Sequence, residues 1–189
     1  NKDEDKDIDF DEMYSRVRDH LKSIDSQEVT ITAVLNEEYD DWYDDSGEEF
    51  YYEDNDDISD MLEGACDFVH ICMDREKYKE GFAVGKQLLE MEILCDNEYG
   101  DEELSLGDMV HYELLHCDLK RVILDIAYCA YQSVPPAKRP EALYGVILNA
   151  REDTATLEAV MQHGEEDLPE LEEFLPSWIT YLGDKTGHD

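Results

Sequence analysis

The segment Asp57–Asp74, DISDMLEGACDFVHICMD, carries the clearest periodic pattern in the chain. Its apolar residues recur at steps of three and four, which places them on one face of an α-helix. Asp57 stands just before the first of them and belongs to a residue type that commonly caps a helix. The stretch therefore predicts an amphipathic helix that begins after Asp57 and buries one face. That face comprises Ile58, Met61, Leu62, Ala65, Phe68, Val69, Cys72 and Met73.

Helical spacing continues on both sides of this segment, and no convincing strand pattern is evident. Short polar links between helices of similar length favour antiparallel helical hairpins. We therefore predict an all-α fold, an irregular and tetratricopeptide-like stack of hairpins in an α-α superhelix. Two glycines, Gly81 and Gly85, lie one turn apart and indicate the close approach of a neighbouring helix. The predicted flanking helices cover about residues 9–24, 27–43, 77–95, 108–133, 140–151, 154–163 and 168–182.

Turn signals and charge divide the chain into four parts. We predict an N-terminal helical pair at 1–45 and an acidic linker at 46–57. A helical-repeat-like domain at 58–184 and a short tail at 185–189 follow. We expect the chain to be one region of a larger protein.

The net charge limits the classes of partner. The chain of 189 residues has 15 Lys and Arg against 51 Asp and Glu, a formal charge of −36. Residues 1–60 alone contribute −18, from 23 acidic and 5 basic side chains. Such a field repels nucleic-acid phosphates and anionic membranes. We therefore expect no direct nucleic-acid contact and no membrane contact, and favour a protein partner that is basic.

The cysteine pattern favours a reducing compartment. The five cysteines are an odd number, and no two form a C-x-x-C pair. Most lie among apolar residues, which is typical of reduced, buried thiols. No apolar run approaches the length of a membrane-spanning helix. We expect a cytoplasmic location.

Known catalytic and cofactor motifs are not matched. GFAVGK at 81–86 has only three residues between its glycines and Gln87 after the lysine, so it is not a phosphate-binding loop. Calcium loops centred on Gly47 or Gly100 place Trp42 or Cys95 at the first ligand position, which fails the EF-hand pattern. No nucleophile motif is present. We predict no catalytic residue, no cofactor and no enzymatic activity.

Zinc is the remaining metal to consider, because several thiols and imidazoles occupy two helical segments. They lack the tight paired spacing of structural zinc sites and would ligate only if the two segments faced each other. We therefore assign no metal ligand and keep a metal-dependent enzyme as an alternative. The residues concerned are Cys66, His70, His111, His116 and Cys117.

Residues 37–60 contain thirteen acidic side chains and no Lys or Arg. A charge run of this kind is commonly a solvated connector. Its aromatic residues permit a second interpretation, in which rings and carboxylates together dock a basic protein. The candidate partner-binding residues are Trp42, Tyr43, Phe50, Tyr51 and Tyr52.

The order of segments resembles a known family. DEMYSRVRDHLKSIDSQEVTITAVL, at 11–35, looks like the short helical pair that follows the metal-binding module in bacterial SWIM zinc-finger proteins. DNDDISDMLEGACDFVHICMDREKYKEGFAVGKQLLEME, at 54–92, is similar to the helical hairpin after it, and EEFLPSWITYLGD, at 172–184, to a C-terminal segment. The zinc finger itself is absent, so the resemblance transfers no zinc ligand. It implies a helical scaffold beside a zinc-binding module.

Together these observations predict a non-catalytic helical region for protein–protein interaction or scaffolding in a larger, SWIM-like protein. One alternative is an acidic decoy that mimics nucleic acid and binds basic proteins. Its affinity should collapse when salt is added. The metal-dependent enzyme is the other alternative.

Overall fold

The computed structural model describes residues 2–36 and 50–150. The chain order of these residues is α1 (Lys2–Asp25), β1 (Ile31–Leu35), β2 (Phe50–Glu53), α2 (Ile58–Asp74), α3 (Tyr78–Glu90) and β3 (Ile93–Asn97). It continues with β4 (Glu102–Leu104), α4 (Leu106–His111), α5 (Leu119–Ser133), a short 3₁₀ turn (Pro136–Lys138) and α6 (Arg139–Ala150). The fold is mixed α/β, so the prediction of an all-α, tetratricopeptide-like stack is wrong.

Four strands form one sheet in the order β2-β1-β3-β4. β1 pairs antiparallel with β2 and parallel with β3, and β3 pairs antiparallel with β4. The parallel pair joins the predicted N-terminal pair to the predicted repeat domain, since Ile31 lies opposite Cys95. Residues 50–53 of the predicted linker form β2, an edge strand of this sheet.

The predicted helix at 27–43 is wrong because β1 occupies part of it. Residues 29–32 read Val-Thr-Ile-Thr, and β-branched side chains favour strands over helices. The apolar residues fit helical spacing and strand alternation equally well. Burial follows the alternation, since Ile31 and Ala33 are buried and Thr32 and Val34 are half-buried.

The predicted helix at 77–95 ends at Glu90, and β3 takes over its last residues. The extended backbone of Met91 ends the helical path. The predicted helix at 108–133 is two helices, because Asp118 caps α5 by accepting a hydrogen bond from the Arg121 amide at 3.3 Å. The helices predicted at 154–163 and 168–182 lie outside the described residues.

The helix predicted from Asp57–Asp74 is confirmed as α2, and its apolar face enters the core. α2, α3 and α5 pack against one another, and α1 and α6 cover this group. The ring of Phe68 on α2 stacks on Phe10 and Tyr14 of α1, at centroid distances of 5.3 and 5.5 Å. These contacts fix α1 to the rest of the domain.

The start of α2 differs from prediction in one respect. Asp57 occupies the N-cap position, but its backbone is left-handed (φ 56°) and its side chain makes no capping hydrogen bond. Asp54 caps the helix instead. Its carboxylate accepts from the amides of Ile58 and Ser59, at 2.7 and 2.8 Å, and from the Ser59 hydroxyl at 2.6 Å. Part of the acidic run is therefore structural.

Replacing Asp54 by alanine should lower the free energy of unfolding by about 1–2 kcal/mol, because two amides lose their acceptor. The matched control is Asp57→Gly, which should stay within about 0.5 kcal/mol of wild type because glycine accepts a left-handed backbone. Urea unfolding of both variants measures the difference. A greater loss from the Asp57 change would contradict the assignment of Asp54 as the cap.

Candidate functional site

Three of the five predicted partner-binding residues lie on β2. Phe50 and Tyr52 are half-buried, and Tyr51 between them is exposed. Strand alternation separates them, since successive side chains of a strand point to opposite faces. Trp42 and Tyr43 lie outside the described residues.

Tyr52 packs against Tyr112, with ring centroids 4.6 Å apart. Burial, a hydrogen bond with the Tyr112 side chain and the nearby Glu102 carboxylate all raise the pKa of Tyr52. The phenol therefore stays protonated and acts as a hydrogen-bonding group. It anchors the segment after α4 to the sheet.

Phe50 meets Tyr99 edge to face, with ring centroids 5.9 Å apart. Tyr99 occupies the turn between β3 and β4. Its amide donates to the Asn97 side chain at 3.0 Å, and Gly100 follows with φ 136°, a backbone that favours glycine. This turn holds the Tyr99 ring out into solvent.

We call Phe50, Tyr51, Tyr52, Tyr99 and Tyr112 the aromatic edge. Within residues 2–36 and 50–150, the large hydrophobic side chains that are exposed are Tyr51 (47%), Tyr99 (71%) and Tyr112 (38%). Each of the three either belongs to β2 or has its ring against a β2 residue. Tyr51 lies on one face of β2, and Tyr99 and Tyr112 contact the residues of its other face, so exposed rings flank both faces of this one strand and mark it as a candidate binding site. Sequence reasoning missed Tyr99 and Tyr112, although the Asn-Glu-Tyr-Gly turn is a signal for Tyr99.

The sheet is acidic as well as aromatic. Residues 23–74 and 87–119, which include all four strands, contain no Lys or Arg. The same two stretches contain 18 and 10 acidic residues. On β4, repulsion from Glu92 raises the pKa of the exposed Glu103 carboxyl. Carboxylates that repel one another in this way attract a cationic partner.

A second feature is a cleft between α2 and the start of α5, with a volume of about 530 Å³. Cys66, His70, His116 and Cys117 all line it, so the two segments considered for zinc do face each other. His111 does not line it and has its ring against Tyr112. We call this cleft between α2 and α5 the thiol cleft.

The thiol cleft gathers four potential ligands without arranging them around a metal. In the described part of the chain, no group of three or more His, Cys, Asp or Glu side chains is placed to hold a metal ion. Tetrahedral zinc sites need four close ligands, or three and a water. The geometry therefore gives the metal-dependent enzyme no support.

A buried carboxylate also lines the thiol cleft. Asp125 on α5 is 2% exposed, and one of its oxygens lies 3.2 Å from Nδ1 of His70. Its other oxygen lies 3.3 Å from Nε of Arg121, an ion pair without the alignment of a hydrogen bond. Burial raises the pKa of Asp125, and the two partners oppose that shift. The three side chains connect α2 to α5 across the cleft.

Within the described ranges, no helix combines the length and the apolar composition that crossing a membrane requires. Comparison of the chain with protein-family models, with curated proteins and with solved structures gives no match. The resemblance to SWIM zinc-finger proteins therefore stays a prediction.

Proposed function

We propose that the chain is a non-catalytic protein-binding domain of a larger, SWIM-like cytoplasmic protein, and that its aromatic edge binds a basic segment of a partner. One observation carries the proposal: the exposed aromatic rings of the described residues gather on or against β2. Five free cysteines are in keeping with a cytoplasmic location.

The charge around these rings indicates which kind of partner segment would bind there. A segment rich in Lys or Arg complements carboxylates that have no cationic neighbour in sequence, and charge attraction speeds its encounter. At the surface, a cation over an exposed tyrosine ring contributes about 0.5–1 kcal/mol. Tyr51 and Tyr99 provide such rings, and Glu98 and Glu102 lie beside the turn that carries Tyr99.

The edge position of β2 suits an extended partner. Among the described strands, β2 pairs with β1 alone, so one side of its backbone has no strand partner within that set. An extended peptide can add to such an edge through main-chain hydrogen bonds. The alternating faces of β2 would then place Tyr51 against one side of the peptide and Phe50 and Tyr52 against the other.

The test is a titration of fluorescein-labelled peptides that alternate Lys or Arg with apolar residues, in about 150 mM salt. Changing Tyr51 and Tyr99 together to alanine should weaken binding by about 5–30-fold, because two cation–ring contacts are lost. Anisotropy measures the affinity, and circular dichroism confirms that the variant is folded. Unchanged affinity after the double change would overturn the aromatic edge as the site.

A matched pair of charge variants distinguishes binding at the aromatic edge from attraction by the overall negative charge of the chain. Glu98→Gln with Glu102→Gln removes two charges near the aromatic edge, and Asp11→Asn with Glu12→Gln removes two from the exposed face of α1. We expect the first pair to weaken binding by about tenfold and the second by less than about twofold. Equal losses in both pairs, with binding lost at high salt, would instead support the acidic decoy.

A further inference from the structure

Cys66 and Cys117 form a thiol pair inside the thiol cleft. Cys66 lies on α2 and is 6% exposed. Cys117 is half-buried and lies between α4 and α5, outside any helix. Both residues line the cleft, so the chain fold brings them to one place, and each thiol lies close enough to shift the pKa of the other. Two cysteines that line one cleft, one of them reached from solvent, are candidates for a disulfide.

The two thiols are not equivalent. The hydrogen bond from Cys66 lowers the pKa of Cys117, against the opposing effects of burial and of the Glu63, Asp118 and Asp67 carboxylates. The same hydrogen bond, together with burial, raises the pKa of Cys66. Cys117 is thus the more acidic and the more accessible of the two thiols, and Cys66 holds its proton more tightly.

The remaining cysteines lie in settings that suppress reaction. Burial raises the pKa of Cys72 to about 12, and burial also raises the pKa of Cys95 and of Cys129. All three are 0% exposed. A thiol that is both protonated and inaccessible is inert towards small oxidants.

We infer that Cys66 and Cys117 are an oxidative modification site, at which a peroxide converts the two thiols into a reversible disulfide. The Cys117 thiol gives up its proton and its sulfur attacks hydrogen peroxide: the S–O bond forms, the O–O bond breaks, and the released hydroxide takes up that proton and leaves as water. The Cys66 sulfur then attacks Cys117, the S–S bond forms, the S–O bond breaks, and the hydroxide leaves with the Cys66 proton as a second water. The two sulfurs lose two electrons, which reduce one peroxide. A dithiol reductant reverses the change by two exchange steps.

The modification would act on the cleft itself. The disulfide would tie the segment before α5 to α2 within the cleft. The inference does not depend on the proposed function, because the thiol cleft and the aromatic edge share no residue. A negative result for the aromatic edge would therefore not count against the inference about the thiol cleft, and the reverse also holds.

The test treats the fully reduced chain, at low micromolar concentration, with one equivalent of hydrogen peroxide. Remaining thiols are alkylated, and the digest is analysed by mass spectrometry. The expected product is a peptide pair that links Cys66 to Cys117 within one molecule, formed at least about tenfold faster than any oxidation of Cys72, Cys95 or Cys129. Oxidation of all five thiols at similar rates, or links only between molecules, would overturn the inference.

Single variants test the order of the two steps. In Cys66→Ser, a sulfenic-acid reagent should label Cys117, because the resolving thiol is gone. In Cys117→Ser, no disulfide should form at Cys66. The matched control is Cys95→Ser, which should oxidise like wild type. Sulfenic-acid label at Cys66 rather than Cys117 would contradict the assignment of Cys117 as the thiol that is oxidised first. If a variant fails to fold, the digest of the wild-type protein still decides whether the disulfide forms.

Discussion

Replacing Gly85 by alanine should lower the free energy of unfolding by about 2 kcal/mol. A methyl group at this position would lie 2.6 Å from Cγ1 and 2.8 Å from Cγ2 of Ile126 on α5. Ile126 is fully buried and stiff at its branched carbon, so it cannot swing aside. Overpacking of this kind costs about 1–3 kcal/mol and outweighs the gain of about 1 kcal/mol from helix propensity. Chemical unfolding measures the loss.

Two controls separate the clash from any general effect of removing a glycine. Gly64 on α2 has open space where its methyl would lie, so Gly64→Ala should stabilise the domain by about 0.5–1 kcal/mol. In an Ile126→Ala background the two closest contact atoms are gone and only Cβ remains, at 3.1 Å, so Gly85→Ala should then cost much less than in wild type. A loss of the same size in both backgrounds would show that the α3–α5 contact is not the cause.

Gly85 also illustrates what the sequence makes predictable. Two glycines one turn apart inside an amphipathic helix have few explanations other than close packing, and the contacts confirm that prediction. At Gly81 a methyl would lie 2.8 Å from Sγ of Cys129 and 2.8 Å from Cβ of Cys72. The spacing of the two glycines and the cost of glycine in a helix were enough to predict this close packing, because the packing depends on one residue and its nearest neighbours.

The strands were not predicted, because they are short and their pairing depends on residues far apart in sequence. β1 has five residues and β4 three, too few for period two to be distinguished from helical spacing. The parallel pairing of β1 with β3 joins residues far apart in sequence, and nothing local encodes it. The β-branched run at 29–32 and the Asn-Glu-Tyr-Gly turn were the available signals, and helical periodicity outweighed both.

The residues of the candidate sites also fall into those that local sequence reveals and those that only the fold brings together. Phe50, Tyr51 and Tyr52 could be selected from the sequence because rings among carboxylates are unusual. Tyr99 and Tyr112 could not, because the sheet brings them to β2 from other segments. Spacing alone also left open whether Cys66 and Cys117 face each other, since tertiary packing alone decides it.

Replacing Arg121 by methionine should destabilise the domain by up to about 3 kcal/mol at neutral pH. Methionine keeps the packing of the side chain but removes a charge that opposes the burial cost of the Asp125 carboxylate. Breaking a buried ion pair is costly because the remaining charge loses its compensation. Protonation of Asp125 limits the cost, since its pKa is already raised.

The pH dependence identifies the cause. A carboxyl group with a raised pKa in the folded state stabilises the fold fully below its ordinary value of 3.8, and this stability is lost as pH rises through the raised value. Loss of Arg121 raises that pKa further, so wild type and variant should have similar stability near pH 4 and diverge above it. Thermal unfolding across this range measures the divergence.

Two further variants decide whether Asp125 carries the effect. Lys120→Met changes net charge equally at an exposed neighbouring position and should alter stability by less than about 0.5 kcal/mol. Asp125→Asn in the Arg121→Met background should recover most of the loss at neutral pH, because the amide has no charge to bury. If the double variant remains as unstable as Arg121→Met alone, the destabilisation comes from lost packing, and the charge of Asp125 is not what Arg121 compensates.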